Sequence, residues 1–130
     1  MRDGKPRIIL LVEDDLAIVE LLNLYFKPLN IELYRAHGGM EGVQLYRRLL
    51  SNGKRPDLVI MDIKLPAMNG IEATKKIKEI DDSAVIYGFT AFASVKGEEL
   101  RRAGAQKVIS RTFGFSALRD IVNSSITPST

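Results

Sequence analysis

The chain has no cysteine, no tryptophan and a single histidine, His37, in 130 residues. Without cysteine there are no disulfides, no thiolate metal sites and no cysteine nucleophile. One histidine excludes a multi-histidine metal centre. Long apolar runs are missing as well. The strongest, residues 8–12 and 58–61, fall far below the roughly 20 residues that cross a bilayer as a helix. No signal-peptide pattern opens the chain, so a cytoplasmic protein without a membrane anchor is expected. A large excess of one charge is also absent, since 19 Lys and Arg stand against 16 Asp and Glu. The basic residues cluster only mildly, at Lys75-Lys76-Lys78 and Arg101-Arg102. No aromatic residues interleave with them, which favours solvated helix faces over direct contact with nucleic acid. The length fits one domain, large enough to bury roughly two thirds of its unfolded surface.

What is present is a regular alternation. Strand candidates occur at residues 7–12, 31–36, 58–61, 85–89 and 107–110. The first, third and fourth are continuously apolar, as strands covered on both faces are. The second alternates Ile31 and Leu33 with Glu32 and Arg35, which suits an edge. Between the strands lie amphipathic stripes: Ile18, Leu21, Leu22, Tyr25; Val43, Tyr46, Leu50; Ala73, Ile77, Ile80; and Leu118, Ile121, Val122. Residues 95–103 are less clearly striped. Lys27-Pro28, Asn52-Gly53 and Gly104 mark helix ends. Five strand–helix alternations predict an α/β fold, a doubly wound parallel sheet with right-handed crossovers and helices on both faces. One domain over 1–124 is expected. The polar residues 124–130 carry no apolar stripe, so fraying is expected there, with a disordered tail over 125–130.

Acidic residues gather where the apolar runs stop. Glu13, Asp14 and Asp15 follow the first run, Asp62 follows the third, and Thr90 ends the fourth. In parallel sheets these carboxyl ends are where sites form. If the first and third strands are neighbours, their ends lie about 4.8 Å apart. Glu13, Asp14 and Asp62 then share one pocket, and crowded carboxylates are costly unless compensated. A Mg2+ ion bound by carboxylate oxygens at about 2.0–2.1 Å supplies that compensation. One carboxylate then remains free as a nucleophile toward phosphorus. Thr90 can donate its hydroxyl to a phosphoryl oxygen, and Arg111 can offset accumulating charge. The simpler role for such acids is capping of a helix N-terminus, and Asp15 is assigned to it. His37 is read as a loop residue, and Phe113 and Phe115 as core anchors.

Four segments carry a resemblance. ILLVEDD (9–15), PDLVIMDIKLPAMNG (56–70), GFTAFA (88–93) and GAQKVISRTF (104–113) together resemble the receiver domain of two-component response regulators. They span nearly the whole chain in the family's order and spacing. The resemblance implies a (βα)5 flavodoxin-like sheet of strand order 2-1-3-4-5. It implies Asp62 as phosphoacceptor, Asp14 as a direct Mg2+ ligand, Glu13 as a ligand through water and the Lys64 backbone carbonyl as a further ligand. Thr90 becomes the switch hydroxyl, with the small Ala91 giving access beside it. Pro66 and Gly70 match the loop that shapes the site, and Asn69 can cap the next helix. The implied donor is a sensor histidine kinase or a histidine phosphotransfer protein, docking on the first helix. The implied output passes through protein contacts. Self-directed phosphorylation and dephosphorylation is the only chemistry expected, so the chain is not read as an enzyme.

The chain departs from that pattern at three positions. Arg111 replaces the family's lysine; it keeps the charge but is bulkier and forked. Lys107 cannot substitute, lying four residues earlier, about 13 Å back along a strand. Thr112 replaces a proline that is usually cis, and a cis bond before a non-proline residue costs about 2.5–4 kcal/mol. A trans Arg111–Thr112 bond and a reshaped loop are therefore expected. Val108 stands at the family's aromatic switch position and cannot swing as a ring does. In the family, the positions of Phe92 and Lys64 influence access of hydrolytic water; Phe92 is expected to shield an acyl phosphate, while Lys64 either does so or is a solvated side chain whose backbone alone matters. The departures keep open a second class, a phosphorylation-independent binding module in which Arg111 stays paired with Asp62. A third class, a metal-dependent phosphohydrolase or nuclease, would need a second carboxylate two residues after Asp62, where Lys64 stands.

Overall fold

The computed structural model describes residues 4–126. Five strands, β1 (Arg7–Val12), β2 (Ile31–Ala36), β3 (Leu58–Met61), β4 (Ile86–Thr90) and β5 (Lys107–Ser110), alternate with five helices. These are α1 (Leu16–Phe26), α2 (Gly39–Ser51), α3 (Gly70–Ile80), α4 (Ala93–Ala103) and α5 (Phe115–Ile126). All pairings are parallel, in the order β2-β1-β3-β4-β5. This is the expected flavodoxin-like sheet. The fourth strand lies one residue later than expected, at Ile86–Thr90 rather than 85–89. Residues 93–103 form a full helix despite their weak stripe. The helix α5 runs to Ile126, so positions 124–126 are helical where fraying was expected. A clasp supports that last turn: the Arg7 Nε, at the start of β1, donates to the Ile126 carbonyl at 2.9 Å. Positions 127–130 of the expected tail lie outside the described residues.

The pleat sorts the strand residues into two cores. Ile9, Leu11, Leu58 and Ile60 pack with Val19, Leu22, Leu118 and Val122, beneath α1 and α5. Leu10, Val12, Val59 and Met61 pack with Val43, Tyr46, Ala73, Ile77 and Leu100, beneath α2, α3 and α4. The continuous apolar runs are therefore explained by alternate residues facing opposite layers, both dry.

Tyr46 brings a polar atom into the second core. Its ring is fully buried, and its hydroxyl donates to Asp81 at 2.7 Å. The Arg55 Nε donates to the same carboxylate oxygen at 2.7 Å, and the Ser83 N–H to the other at 3.1 Å. The Arg55 bond is the main reason the Asp81 carboxyl falls from 3.8 to about 2, with Tyr46 and Ser83 adding to it. A carboxyl depressed on folding stabilises the protein above its unfolded value, and that contribution is lost as the pH falls through the folded value. We expect stability tied to Asp81 to be complete above pH 4 and to fade toward pH 2. Tyr46→Phe should cost about 1–2 kcal/mol at neutral pH, mostly gone near pH 2. Melting curves at both pH values check this; a Tyr46→Phe deficit that is the same at each contradicts it.

Candidate functional site

The ends of β1 and β3 are held in step. Val12 lies opposite Met61, the Asp62 N–H donates to the Val12 carbonyl at 3.2 Å, and the Glu13 N–H to the Ala36 carbonyl at 2.9 Å. Glu13 and Asp62 thus emerge one step past paired residues. Glu13 continues the 9, 11, 13 alternation and Asp62 the 58, 60, 62 alternation, both on the α1 and α5 side. The two are buried, with 2 % and 5 % of their surface exposed. Asp14 stands beside them, exposed, and a carboxylate oxygen from each of the three falls within 4.8 Å of the others. The expected pocket is therefore formed. Asp15 takes the capping role, its carboxylate accepting from the Ala17 N–H at 2.9 Å. Asn69 likewise caps α3, accepting from the Glu72 N–H at 3.0 Å.

Arg111 reaches this pocket from the next strand but one. It follows Ile109 on the same alternation, and its guanidinium carbon sits 5.6 Å from the Phe89 ring centroid. One terminal nitrogen, Nη2, donates to the Glu13 Oε1 and lies 3.1 Å from the Asp62 Oδ2. Arg111 therefore bridges two carboxylates, not one. Burial, and then the neighbouring Asp62 charge, push the Glu13 carboxyl up to about 7 despite the arginine. The other Asp62 oxygen, Oδ1, accepts from the Ile63 N–H at 2.8 Å, which fixes the carboxylate's orientation.

Thr90 is fully buried at the end of β4, and its Oγ1 accepts from the Phe92 N–H at 3.1 Å. That bond occupies a lone pair and leaves the hydroxyl proton free to donate. The Lys64 ammonium lies 5.6 Å from the Phe92 ring centroid, so Lys64 forms a cation–π pair with the residue expected to shield an acyl phosphate. The Arg111–Thr112 bond is trans, since no described bond is cis, and a 3-10 turn spans Arg111–Phe113. Ser110 caps that turn, its hydroxyl accepting from the Thr112 N–H at 3.2 Å. Phe113 is 71 % exposed, against the expectation of a core anchor; the turn ends by projecting it outward. Phe115 is the true anchor, stacked on Tyr25 and edge-on to Phe89. Val108 lies beneath α4 against Gly97. Lys107 is remote from the acids, with its ammonium 5.4 Å from the Tyr87 ring centroid. His37 lies beyond β2, its Nε2 3.0 Å from Glu41.

One residue escaped the sequence reading. Arg35, at the carboxyl end of β2, donates from Nε and Nη2 to the Glu13 carbonyl, both at 3.2 Å. Its Nη2 also lies 3.4 Å from the Asp14 carbonyl. Its charge reads only as the mark of an edge strand, although position 35 shares a face with Ile31 and Leu33. Its place opposite Leu11, two residues before the acids, is the signal that could have found it.

Sequence and structure comparisons agree with this geometry. Residues 9–123 match the family described as response regulator receiver domain. The chain is 31 % identical to sporulation initiation phosphotransferase F of Bacillus subtilis, over 88 % of its own length and 89 % of that protein's. It is 34 % identical to the polar-differentiation response regulator DivK of Brucella anthropi, covering 82 % and 85 %. Among solved structures, a chain of the CheX–CheY–BeF3–Mg2+ complex of Borrelia burgdorferi superposes with a TM-score of 0.84 at 25 % identity, covering 96 % of this chain and 92 % of that one. TrrA of Thermotoga maritima, solved with Mg2+ and BeF, gives 0.77 at 27 % identity, covering 92 % and 99 %.

Proposed function

Since the chain belongs to the response regulator receiver family, we propose that it accepts a phosphoryl group on Asp62 from a histidine kinase or a histidine phosphotransfer protein. The observation that carries this is the convergence of Glu13, Asp14, Asp62, Thr90 and Arg111 on one end of the sheet. An Asp62 carboxylate oxygen forms the new bond to phosphorus as the phosphorus–nitrogen bond of the donor phosphohistidine breaks, and the imidazole leaves with the bonding electrons. The Ile63 N–H holds Asp62 Oδ1 during attack. Thr90 donates its free proton to a phosphoryl oxygen, and Arg111 turns its fork to another.

Three carboxylate oxygens within 4.8 Å suit Mg2+. Asp14, Asp62 and the Lys64 carbonyl would hold it directly and Glu13 through water. Bound there, it would neutralise the carboxylates and the incoming phosphoryl oxygens. The donor is expected to dock on α1, whose outer face carries the exposed Leu16 and Leu24. Among the described residues no helix is long and apolar enough to cross a membrane. We assign the protein to the cytoplasm, where kinase-borne phosphoryl groups are made, and its output to contacts with a further protein rather than nucleic acid. Val108 in place of an aromatic ring gives that output a different trigger from a swinging side chain.

A second reading rests on the Arg111–Asp62 contact at 3.1 Å. If that pair never opens, the domain is a phosphorylation-independent interaction module. Incubation with a small acyl-phosphate donor, with and without Mg2+, separates the two by intact mass. The expected result is one added phosphoryl group that requires Mg2+. No adduct under conditions where Mg2+ binding is confirmed overturns the phosphoacceptor reading in favour of the module.

A further inference from the structure

We propose that Arg111 is a resident counter-ion that competes with the divalent cation for Glu13 and Asp62, and so sets the threshold concentration at which this site binds metal. This rests on the metal-assisted function above and concerns how that site is regulated. The geometry that carries it is the double contact. One Arg111 nitrogen serves both Glu13 and Asp62, two of the three acids that meet within 4.8 Å. The arginine thus already delivers part of what a cation would deliver, a positive charge hydrogen-bonded to Glu13 and ion-paired with Asp62.

Two further observations make the contact a state that can be left. First, the arrangement is incompletely satisfied. The Arg111 Nε is buried with no hydrogen-bond partner, so moving the guanidinium toward water or a phosphoryl oxygen recovers a bond. Second, the frame of the pocket does not depend on Arg111. Arg35 holds the Glu13 and Asp14 carbonyls from the opposite side, and it touches backbone, leaving the carboxylates free. One arginine fixes the main chain; the other neutralises the side chains. Arg111 can therefore withdraw without unravelling the acidic loop.

The physical basis is charge competition. A unit positive charge in contact with ligand carboxylates lowers their attraction for a second cation, and at short range near a protein surface the effect is large. The fork matters too, since the donors that Nη2 does not use remain available to a phosphoryl oxygen. Arg111→Gln keeps a donor and part of the bulk while removing the charge. Arg111→Ala removes both.

Calorimetric titration of Mg2+ into the native protein, Arg111→Gln and Arg111→Ala, at one ionic strength and neutral pH, tests this. Both variants are expected to bind Mg2+ about tenfold or more tightly than the native chain. Melting curves with and without Mg2+ give a second readout, with a larger Mg2+-induced rise in the variants. If Arg111→Ala does not fold without metal, Arg111→Gln decides the question. Native and variant proteins that bind Mg2+ equally, or a variant that binds more weakly, overturn the competition while leaving the proposed function standing. Absence of Mg2+ binding in every protein overturns both.

Discussion

Asp62→Asn takes up no phosphoryl group from an acyl-phosphate donor, at any Mg2+ concentration. The substitution is close to isosteric. The side-chain oxygen can still accept the Ile63 N–H bond that Oδ1 accepts now, at 2.8 Å, so the loop keeps its shape. What disappears is the nucleophile, because an amide does not attack phosphorus. The same change has a second consequence that an ordinary loss of function would not show. Two nearly buried carboxylates, Glu13 and Asp62, share a single guanidinium, and repulsion from Asp62 helps raise the Glu13 carboxyl. Removing one charge leaves Glu13 with the arginine to itself. Without metal, the variant should melt at or above the temperature of the native protein. Mass spectrometry and melting curves in a chelator check the two parts. An adduct on the variant would place the phosphoacceptor elsewhere, and a large drop in melting temperature would show that the two acids are not in conflict.

Gly70→Ala should destabilise the fold by about 3 kcal/mol or more and abolish phosphorylation with it. A Cβ at Gly70 would lie 1.8 Å from the Asp62 carbonyl oxygen, 2.8 Å from its carbonyl carbon and 3.0 Å from the Ile63 Cα. All three are main-chain atoms of the segment that carries the nucleophile, so no side chain can swing aside to relieve the clash. The Gly70 N–H also donates to the Ile63 carbonyl at 2.8 Å. That bond draws the start of α3 onto the end of β3, and a methyl group there would pry the two apart. A fall in melting temperature of about 10 °C or more is expected. Gly53→Ala is the reference, since its Cβ meets nothing within 4 Å and only its φ of +74° is at stake; it should cost about 1 kcal/mol. Equal melting temperatures for the two variants would contradict the close approach.

The layout of this protein was legible because both cores write themselves into the strands. Residues 9–12 and 58–61 are apolar at every position, as a doubly covered sheet requires, and the acids begin where the strands end. The pocket followed from that, given neighbouring strands. Three things were not legible, each for a physical reason. The second partner of Arg111 could not be read, because Glu13 and Asp62 stand at the same step past paired residues on adjacent strands and either lies within reach of a long side chain. Arg35 looked like an exposed edge residue, since its hydrogen bonds go to main-chain carbonyls that a sequence does not display. Phe113 was misplaced because the 3-10 turn after β5 breaks the alternation on which inside and outside are counted, so the ring two residues further on, Phe115, fills the core instead.

The clasp between Arg7 and the Ile126 carbonyl has a use at the bench. Because the sheet is parallel, the start of β1 and the end of α5 meet at the amino edge of the strands, and the acids lie at the carboxyl edge. A handle attached beyond either residue leaves from the far pole of the molecule. Protein anchored to a sensor chip or bead by either end should therefore present its acidic pole outward, open to a phosphoryl donor in the flowing phase.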